Sequence, residues 1–197
     1  MEVERQRNAD ERSGMPLLFV RNVVSTARFG CKLNLRVIAF NSGETEFVTG
    51  SSPYVTVGTM KPATTARLYA SGILVCVGAK TVEESRVAVR KYERIVKRLG
   101  FRAKMTDFKV LNVVASAEMG FRIRLEMLAC SPSLSCATYE PEIFPGLVHK
   151  MENSKAKVIV FVTGKVVING ATSMHEINAV FKSVYPILLE FKKSVAI

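Results

Sequence analysis

The sequence predicts an α+β fold made of two copies of one half-domain. Each copy is ordered β-α-β-β-β-β-α, with its helices on one face of the sheet. Three observations predict it: a period-two alternation of apolar side chains, an internal repeat, and matched helix-start signals. The alternation is clearest from Tyr139 to Asn169, YEPEIFPGLVHKMENSKAKVIVFVTGKVVIN. Three antiparallel strands are expected there, over 144–151, 157–163 and 165–169, with Gly164 in the tight turn between the last two. Side chains in a strand alternate between faces. One face then carries Phe144, Val148, Lys150, Ile159, Phe161, Lys165, Val167 and Asn169. The other carries Leu147, Val158, Val160, Val162, Val166 and Ile168. Both faces are substantially apolar, whereas an antiparallel sheet with one covered face normally turns polar residues outward. The sheet therefore buries both faces, or offers one of them to a partner.

The repeat fixes the architecture. FVRNVVSTARFGCKLNLRVIA, from Phe19, recurs as KVLNVVASAEMGFRIRLEMLA, from Lys109, with Asn22 and Asn112 90 residues apart. LYASGILVCVGAKT, from Leu68, recurs as VFVTGKVVINGATS, from Val160, with Gly72 and Gly164 92 residues apart. Thr81 with Glu84, and Ser173 with Glu176, keep that offset and have the spacing of a capping box. A period this long, seen twice, is a duplicated half-domain rather than a solenoid. Two such halves are expected about a pseudo-twofold axis, which suits a ligand with its own approximate twofold, such as a DNA duplex.

In chain order, residues 1–17 read as a disordered tail, because MEVERQRNADERS has no apolar core of the kind a signal peptide needs. The first repeat spans 18–107. It opens with a strand over 18–25 and a short helix over 33–40, and a polar strand-plus-loop follows over 41–52. Strands over 54–60, 65–70 and 73–77 come next, then a helix over 82–99. Val89, Tyr92, Val96 and Leu99 fall at helical spacing on that helix and would cover the sheet. Gly100 is placed to end it. Its other side gathers Arg86, Arg90, Arg94, Lys97 and Arg98. That side is a solvated face or the seat of an acidic partner, since crowded like charges repel. The second repeat spans 108–197. It has a strand over 109–115, a short helix within 121–129, a polar loop over 131–138 and the three strands described above. A last helix follows Ser173, and Pro186 is expected to kink it.

Net charge is +11 in 197 residues, and about +12 without the acidic first thirteen. Such a balance implies a polyanionic partner or an acidic protein surface. No apolar run reaches the eighteen residues of a membrane-spanning helix. The four cysteines, Cys31, Cys76, Cys130 and Cys136, form no C-x-x-C pair, and no histidine stands at zinc-ligand spacing. They read as reduced, packed or loop thiols, and no metal or cofactor is expected. His149 and His175 have no visible nucleophile or metal partner, which favours packing or solvation. Gly164-Lys165 lacks the first glycine and the Ser/Thr of a phosphate loop, and His175-Glu176 lacks the second histidine of a zinc protease. Nothing supports an enzyme.

What remains is the apolar sheet face. It gathers Val24, Val75, Val77, Val114, Val148, Ile159 and Val167, with Asn22, Asn112 and Asn169. The aromatics Tyr69, Phe144 and Phe161 lie on it, and Lys80, Lys150 and Lys165 lie on it or at its margin. A minor groove is narrow, and its floor offers only acceptors on A·T pairs. Valines with central amides match that surface, and aromatics at strand ends can wedge between base steps. The alternative is a second protein layer, because exposed apolar patches commonly mark protein interfaces.

The motifs that carry a family resemblance are RNVVST and LNVVAS, TTARLYASG with VCVGAK, VRKYERIVKRLGFRAKMTDFKV, YEPEIFPGL and VFVTGKVV. Over about 18–193 the chain resembles the saddle-shaped core of the TATA-box-binding protein family, and in particular its divergent protozoan members. The resemblance implies a ten-stranded antiparallel saddle with four helices on the convex side and a concave side that binds the DNA minor groove. It implies a nuclear general transcription factor that bends promoter DNA and nucleates assembly of the RNA polymerase initiation machinery. Glu140, Glu142 and Ile143 resemble the surface that receives transcription factor IIB, and Arg86, Arg90, Arg94 and Lys97 the face that receives transcription factor IIA. A homodimer through the concave face is a further expectation, because that apolar face would otherwise meet water.

The second repeat keeps the family's two inserted phenylalanines, as Phe144 and Phe161. In the first repeat Tyr69 stands for one. Ser52 stands for the other on an ungapped count back from Pro62, and a two-residue shift brings Tyr54 there instead. Val77 and Asn169 replace threonines, and Arg67 replaces a leucine. Gly58 and Ile73 replace basic phosphate contacts that Lys150 and Lys165 keep. The first repeat is accordingly expected to grip DNA less strictly, and a scaffold recruited mainly by protein partners is the alternative function.

Overall fold

The computed structural model describes residues 14–41 and 45–193. Most of the tail expected over 1–17 lies outside the described residues; Gly14 lies within them, and its carbonyl accepts from the Tyr185 hydroxyl at 3.0 Å. The described chain runs β1 (Phe19–Arg28), α1 (Leu35–Asn41), β2 (Thr45–Val48), β3 (Tyr54–Met60), β4 (Ala63–Tyr69), β5 (Ile73–Ala79) and α2 (Val82–Arg98). It continues with β6 (Thr106–Glu118), α3 (Leu125–Ala129), β7 (Ala137–Thr138), β8 (Gly146–Lys150), β9 (Lys157–Phe161), β10 (Lys165–Ala171) and α4 (Met174–Glu190). The order β-α-β-β-β-β-α thus occurs twice, and the α+β class holds. The strands form one sheet in the order β2-β3-β4-β5-β1-β6-β10-β9-β8-β7.

Two compact units divide the chain, Arg21–Val113 and the rest. In the first, Val55, Val57, Ala66, Leu68, Leu74, Cys76 and Ala27 turn one strand face inward onto Ala88, Val89, Tyr92 and Val96 of α2. The helix forms where the capping signal is. Thr81 Oγ1 accepts from the Glu84 N–H at 3.0 Å, and Glu84 Oε2 accepts from the Lys80 N–H at 2.8 Å. It ends at Leu99, followed by Gly100 at φ +90°. Gly72 is required by close approach as well as by its positive φ, since a Cβ there would lie 2.2 Å from the Cys31 carbonyl oxygen.

In the second unit, Leu147, Val158, Val160, Val166 and Ile168 are the buried face, as alternation predicts, with Ile177, Phe181, Val184 and Leu188 of α4 also buried. Its cap repeats the first: Ser173 Oγ accepts from the Glu176 N–H at 3.2 Å, and Glu176 Oε2 from the Thr172 N–H at 2.9 Å.

The structure corrects several boundaries. Both β1 and β6 run longer than expected, to Arg28 and from Thr106 to Glu118. The loop expected over 131–138 holds a 3₁₀ turn, Pro132–Leu134, and the short strand β7. The strand expected from Phe144 begins at Gly146, because Phe144 belongs to the preceding turn. Val162 is not a buried strand residue: β9 stops at Phe161, and the Val162 carbonyl accepts from the Ile123 N–H at 3.1 Å. Pro186 does not interrupt α4, which continues to Glu190. One lost backbone bond is outweighed by the buried stripe on either side.

Tyr92 is more than an apolar cover. Its hydroxyl donates to the Thr64 carbonyl at 2.8 Å and lies 3.0 Å from Thr64 Oγ1. Thr59 Oγ1 adds a 2.9 Å contact with Thr64 Oγ1. The corresponding second-repeat positions are Val184, Ala156 and Met151, so the polar network belongs to the first repeat alone.

Candidate nucleic-acid interface

On each repeat the strand face opposite the helices stays partly open. Asn22 and Val24 on β1 are half-buried, and Val23 and Ser25 between them are buried. Val75 and Val77 on β5 alternate in the same way with buried Leu74 and Cys76. On β6, Asn112 and Val114 alternate with buried Val113 and Ala115. In the second repeat Val148, Ile159, Phe161, Val167 and Asn169 are half-buried, and Lys150, Lys165 and Phe144 are exposed. Cross-strand register pairs Val148 with Ile159 and Ile159 with Val167. In the first repeat the matching row is Thr56, Arg67 and Val75. Arg67 thus occupies the place of Ile159, with its guanidinium 5.2 Å from the centroid of the Tyr54 ring.

The amide of Asn22 has a fixed orientation. Its Oδ1 accepts from the Gly78 N–H at 2.7 Å, which turns its NH₂ group away from that backbone as a donor. Gly78 has φ +104° and sits in the irregular stretch where β1 and β5 shift register between Val23 and Ser25. Lys80, at the margin, donates from Nζ to the Arg21 carbonyl at 2.8 Å.

Each repeat ends in an aromatic pair. Phe144 and Phe161 meet edge to face with centroids 5.9 Å apart, and Tyr54 and Tyr69 meet at 5.7 Å. A turn holds Phe144 in place: the Glu140 carbonyl accepts from the N–H groups of Ile143 at 3.0 Å and Phe144 at 2.9 Å. Tyr54 pairs in register with Tyr69 as Gly146 pairs with Phe161. The ungapped alignment is therefore right for the backbone, with Ser52 matching Phe144. The second ring of the first repeat nonetheless comes from the alternative position, Tyr54, two residues further on.

The residues read as protein-binding are exposed. Glu140, Glu142 and Ile143 project from the turn, and Ile143 is 81 % exposed. Arg86, Arg90, Arg94 and Lys97 line the outside of α2. The five-charge crowding expected there is relieved at two points. Lys97 pairs with Glu93 at 2.6 Å, and the Arg86 guanidinium lies 4.3 Å from the centroid of the Phe108 ring. Among the described residues no cluster of three or more potential metal ligands occurs, and no helix is long and apolar enough to cross a membrane.

A duplicated antiparallel sheet with half-open apolar faces, a fixed amide at Asn22 and aromatic ends has the features of sheet-based DNA readers, among which the TATA-box-binding protein family is counted. The family model described as "Transcription factor TFIID (or TATA-binding protein, TBP)" matches residues 18–99 and 107–191. The chain belongs to the TATA-box-binding protein family. It is 45% identical to the TATA-box-binding protein of Acanthamoeba castellanii, covering 89% of this chain and 67% of that protein. It is 46% identical to TATA box-binding protein-like 2 of Mus musculus, covering 88% of this chain and half of that protein. It is 45% identical to TATA-box-binding protein 1 of Triticum aestivum, covering 89% of this chain and 75% of that protein. The similar identities to amoeba, mouse and plant proteins give no preference to a protozoan kinship. Among solved structures, the Methanococcus jannaschii protein superposes with a TM-score of 0.77 at 29% identity, covering 89% of this chain and 99% of that one. The chain is thus a general transcription factor of a DNA-binding family that works with the transcription machinery, and not an enzyme.

Proposed function

We propose that the half-open face of each repeat, 18–107 and 108–197, binds the minor groove of promoter DNA. The aromatic ends bend the duplex, and the bent complex nucleates assembly of the initiation machinery in the nucleus. The observation that carries this reading is the 2.7 Å bond that commits Asn22 Oδ1 to Gly78. It leaves the amide donating from among half-buried valines, and the floor of an A·T minor groove offers acceptors only. Val24, Val75, Val77, Val114, Val148, Ile159 and Val167 supply the apolar contact, with Asn112 and Asn169 as further amides. Lys80, Lys150 and Lys165 meet phosphates. Lys80 does so by releasing the Arg21 carbonyl.

TATA specificity is relaxed. Arg67 breaks the apolar row where Ile159 keeps it, and the tyrosine hydroxyls of Tyr54 and Tyr69 must be desolvated to enter a base step, costing on the order of 1–3 kcal/mol each. The Glu140–Glu142–Ile143 turn receives a factor-IIB-like protein and the basic side of α2 a factor-IIA-like one. In the absence of DNA the apolar faces support self-association. The second reading, a scaffold held at promoters mainly by protein partners, is favoured by the loss of cations at Gly58 and Ile73. A titration of the purified chain against TATA, A·T-rich and scrambled duplexes, with bend angles from fluorescence transfer, tests the two. Binding and bending on A·T-rich sites support the first. Equal, weak binding to all three duplexes supports the scaffold.

A further inference from the structure

We propose that Arg28, with Lys109 beside it, forms a phosphate-binding site on the first repeat that replaces the cation absent at Ile73. The inference rests on the DNA-binding reading above, and its ligand is a phosphodiester of the bound duplex.

The chain's own repeat exposes the exchange. The second-repeat counterpart of Ile73, 92 residues on, is Lys165, and the counterpart of Arg28, 90 residues on, is Glu118. Arg28 and Ile73 are direct cross-strand partners at the paired ends of β1 and β5. The second repeat therefore carries its cation on the later strand, and the first carries it on the earlier one. Neighbouring strands lie only about 4.8 Å apart, which a guanidinium on its flexible stem spans easily.

Arg28 is on the required face. It follows Asn22, Val24 and Thr26 at every second position of β1, while Val23, Ser25 and Ala27 turn into the core. Thr26, Arg28, Ile73, Asp107 and Lys109 line a concavity of about 310 Å³ there. Thr26 Oγ1 is spent on the Leu74 carbonyl at 2.9 Å, so the two cations are its recognition groups. Asp107 Oδ2 stands 4.0 Å from Arg28 Nε, and both side chains are mostly exposed, at 61% and 67%. That separation is beyond hydrogen-bonding range, and an exposed pair of this kind is weak. Asp107 thus leaves Arg28's donors uncommitted. It lowers the local positive potential without closing the site, and Arg28 can add a two-pronged contact that a lysine at 73 would not.

The test is a set of anisotropy titrations of the full chain on a duplex carrying TATAAA, between about 50 and 200 mM salt. Arg28→Gln should lose several-fold in affinity and flatten the slope of log K against log salt by about 0.9, the effect of one phosphate contact. Ile73→Lys added to Arg28→Gln should restore both. Asp107→Asn should raise affinity, whereas a merely structural Arg28–Asp107 pair would make both single variants less stable and Asp107→Asn no tighter. If the parent binds and Arg28→Gln leaves the slope unchanged, this site is refuted and the DNA-binding reading stands. If Ile73→Lys fails to restore the lost slope, the exchange is refuted. If the parent shows no salt-dependent binding to any duplex, both fall together.

Discussion

Gly146 lies directly under the Phe144 ring: a Cβ built on Gly146 would stand 2.8 Å from Phe144 Cε1 and 3.1 Å from Phe161 Cε1. The missing side chain is what lets the phenylalanine two residues earlier fold back over the strand and meet Phe161. In the first repeat that register position is Tyr54, whose own ring reaches Tyr69. The two ends reach an equivalent aromatic pair by different routes. One uses a ring from the turn over a glycine, the other a ring from the strand itself.

Gly146→Ala should keep the fold and displace Phe144. Gly146 has an ordinary negative φ, so the methyl's conflict is with side-chain atoms only. The lost edge-to-face contact is worth about 0.5–1.5 kcal/mol, and the denaturation midpoint should fall accordingly. Bend angle on a TATA duplex should fall in parallel, since a displaced ring cannot wedge a base step. An unchanged bend would separate Phe144 from the wedge role.

Tyr92→Phe should destabilise the first repeat by about 1–3 kcal/mol, the cost of leaving a buried partner unsatisfied. Its hydroxyl meets both the carbonyl and the hydroxyl of Thr64, a residue only 5 % exposed. Adding Thr64→Ala, which copies the second repeat's apolar solution, should recover part of the loss. Urea denaturation of parent, single and double variants measures this. A double variant no better than the single would mean that the Thr64 side chain contributes nothing to the cost.

The parts that were legible in the sequence share one cause, which is local chemistry that repeats. Val158, Val160, Val166 and Ile168 alternate without interruption, and the two capping boxes and turn glycines recur at fixed offsets. Val89, Tyr92 and Val96 marked the buried stripe of α2. The missed features depend on where side-chain atoms end rather than on where residues stand. Ser52 aligns with Phe144, yet Tyr54 fills the space, and an alignment compares backbone positions only. The Tyr92 hydroxyl network was hidden inside an apolar periodicity. The role of Arg28 has no sequence signal of its own, because its meaning lies in the cross-strand pairing with Ile73. The 131–138 segment read as a loop because Ser, Pro and Cys give no period, and β7 is only two residues long.

Glu142→Arg should leave DNA binding intact and weaken capture of a factor-IIB-like protein on the DNA complex. Glu142 is exposed on a turn whose hydrogen bonds are made by the backbone of its neighbours, so reversal of charge changes the surface and not the fold. A complementary rim charge acts mainly through association rate, so a lower rate and a flatter salt dependence are expected in a surface-capture assay. Identical kinetics for both forms would move the partner surface elsewhere.

His149 gives the chain a stability window in pH. It is 7 % exposed on β8, and its Nδ1 has no hydrogen-bond partner among the described residues. Burial lowers its pKa from the ordinary 6.5, and Glu152 pulls it partly back. The folded chain thus resists a proton that the unfolded chain accepts. The stability that depends on neutral His149 is fully present above about 6.5 and is lost as pH falls toward the folded value. Glu176, lowered from 4.5 by its bond from Ser154 and then by the Thr172 N–H, acts in a separate and more acidic window. The urea midpoint should therefore fall between about pH 7.5 and about pH 5, and His149→Leu should flatten that fall. An equal fall in the variant would assign the loss to other groups.

Rebuilding the first repeat's end in the image of the second separates ring position from ring chemistry. Tyr54→Phe with Tyr69→Phe keeps both rings and removes the two hydroxyls that must be desolvated on entering a base step. Ser52→Phe with Tyr54→Gly and Tyr69→Phe goes further and reproduces the turn-borne ring over a glycine. If the hydroxyls alone weaken this end, the first variant should raise affinity for a TATA duplex about tenfold or more, taking 1–3 kcal/mol as the cost per hydroxyl. The second should then add nothing. If the route of the ring matters, only the second should widen the bend angle. Either gain should be confined to A·T-rich sites with a flexible step, because the cost of kinking depends on the step deformed. Should neither variant improve on the parent, with circular dichroism unchanged, Arg67 becomes the limiting residue. Its guanidinium lies 5.2 Å from the Tyr54 ring centroid in the row where Ile159 stands in the second repeat. Arg67→Ile in the rebuilt background should then release the gain, and a continued failure would favour the scaffold reading over DNA-driven promoter binding.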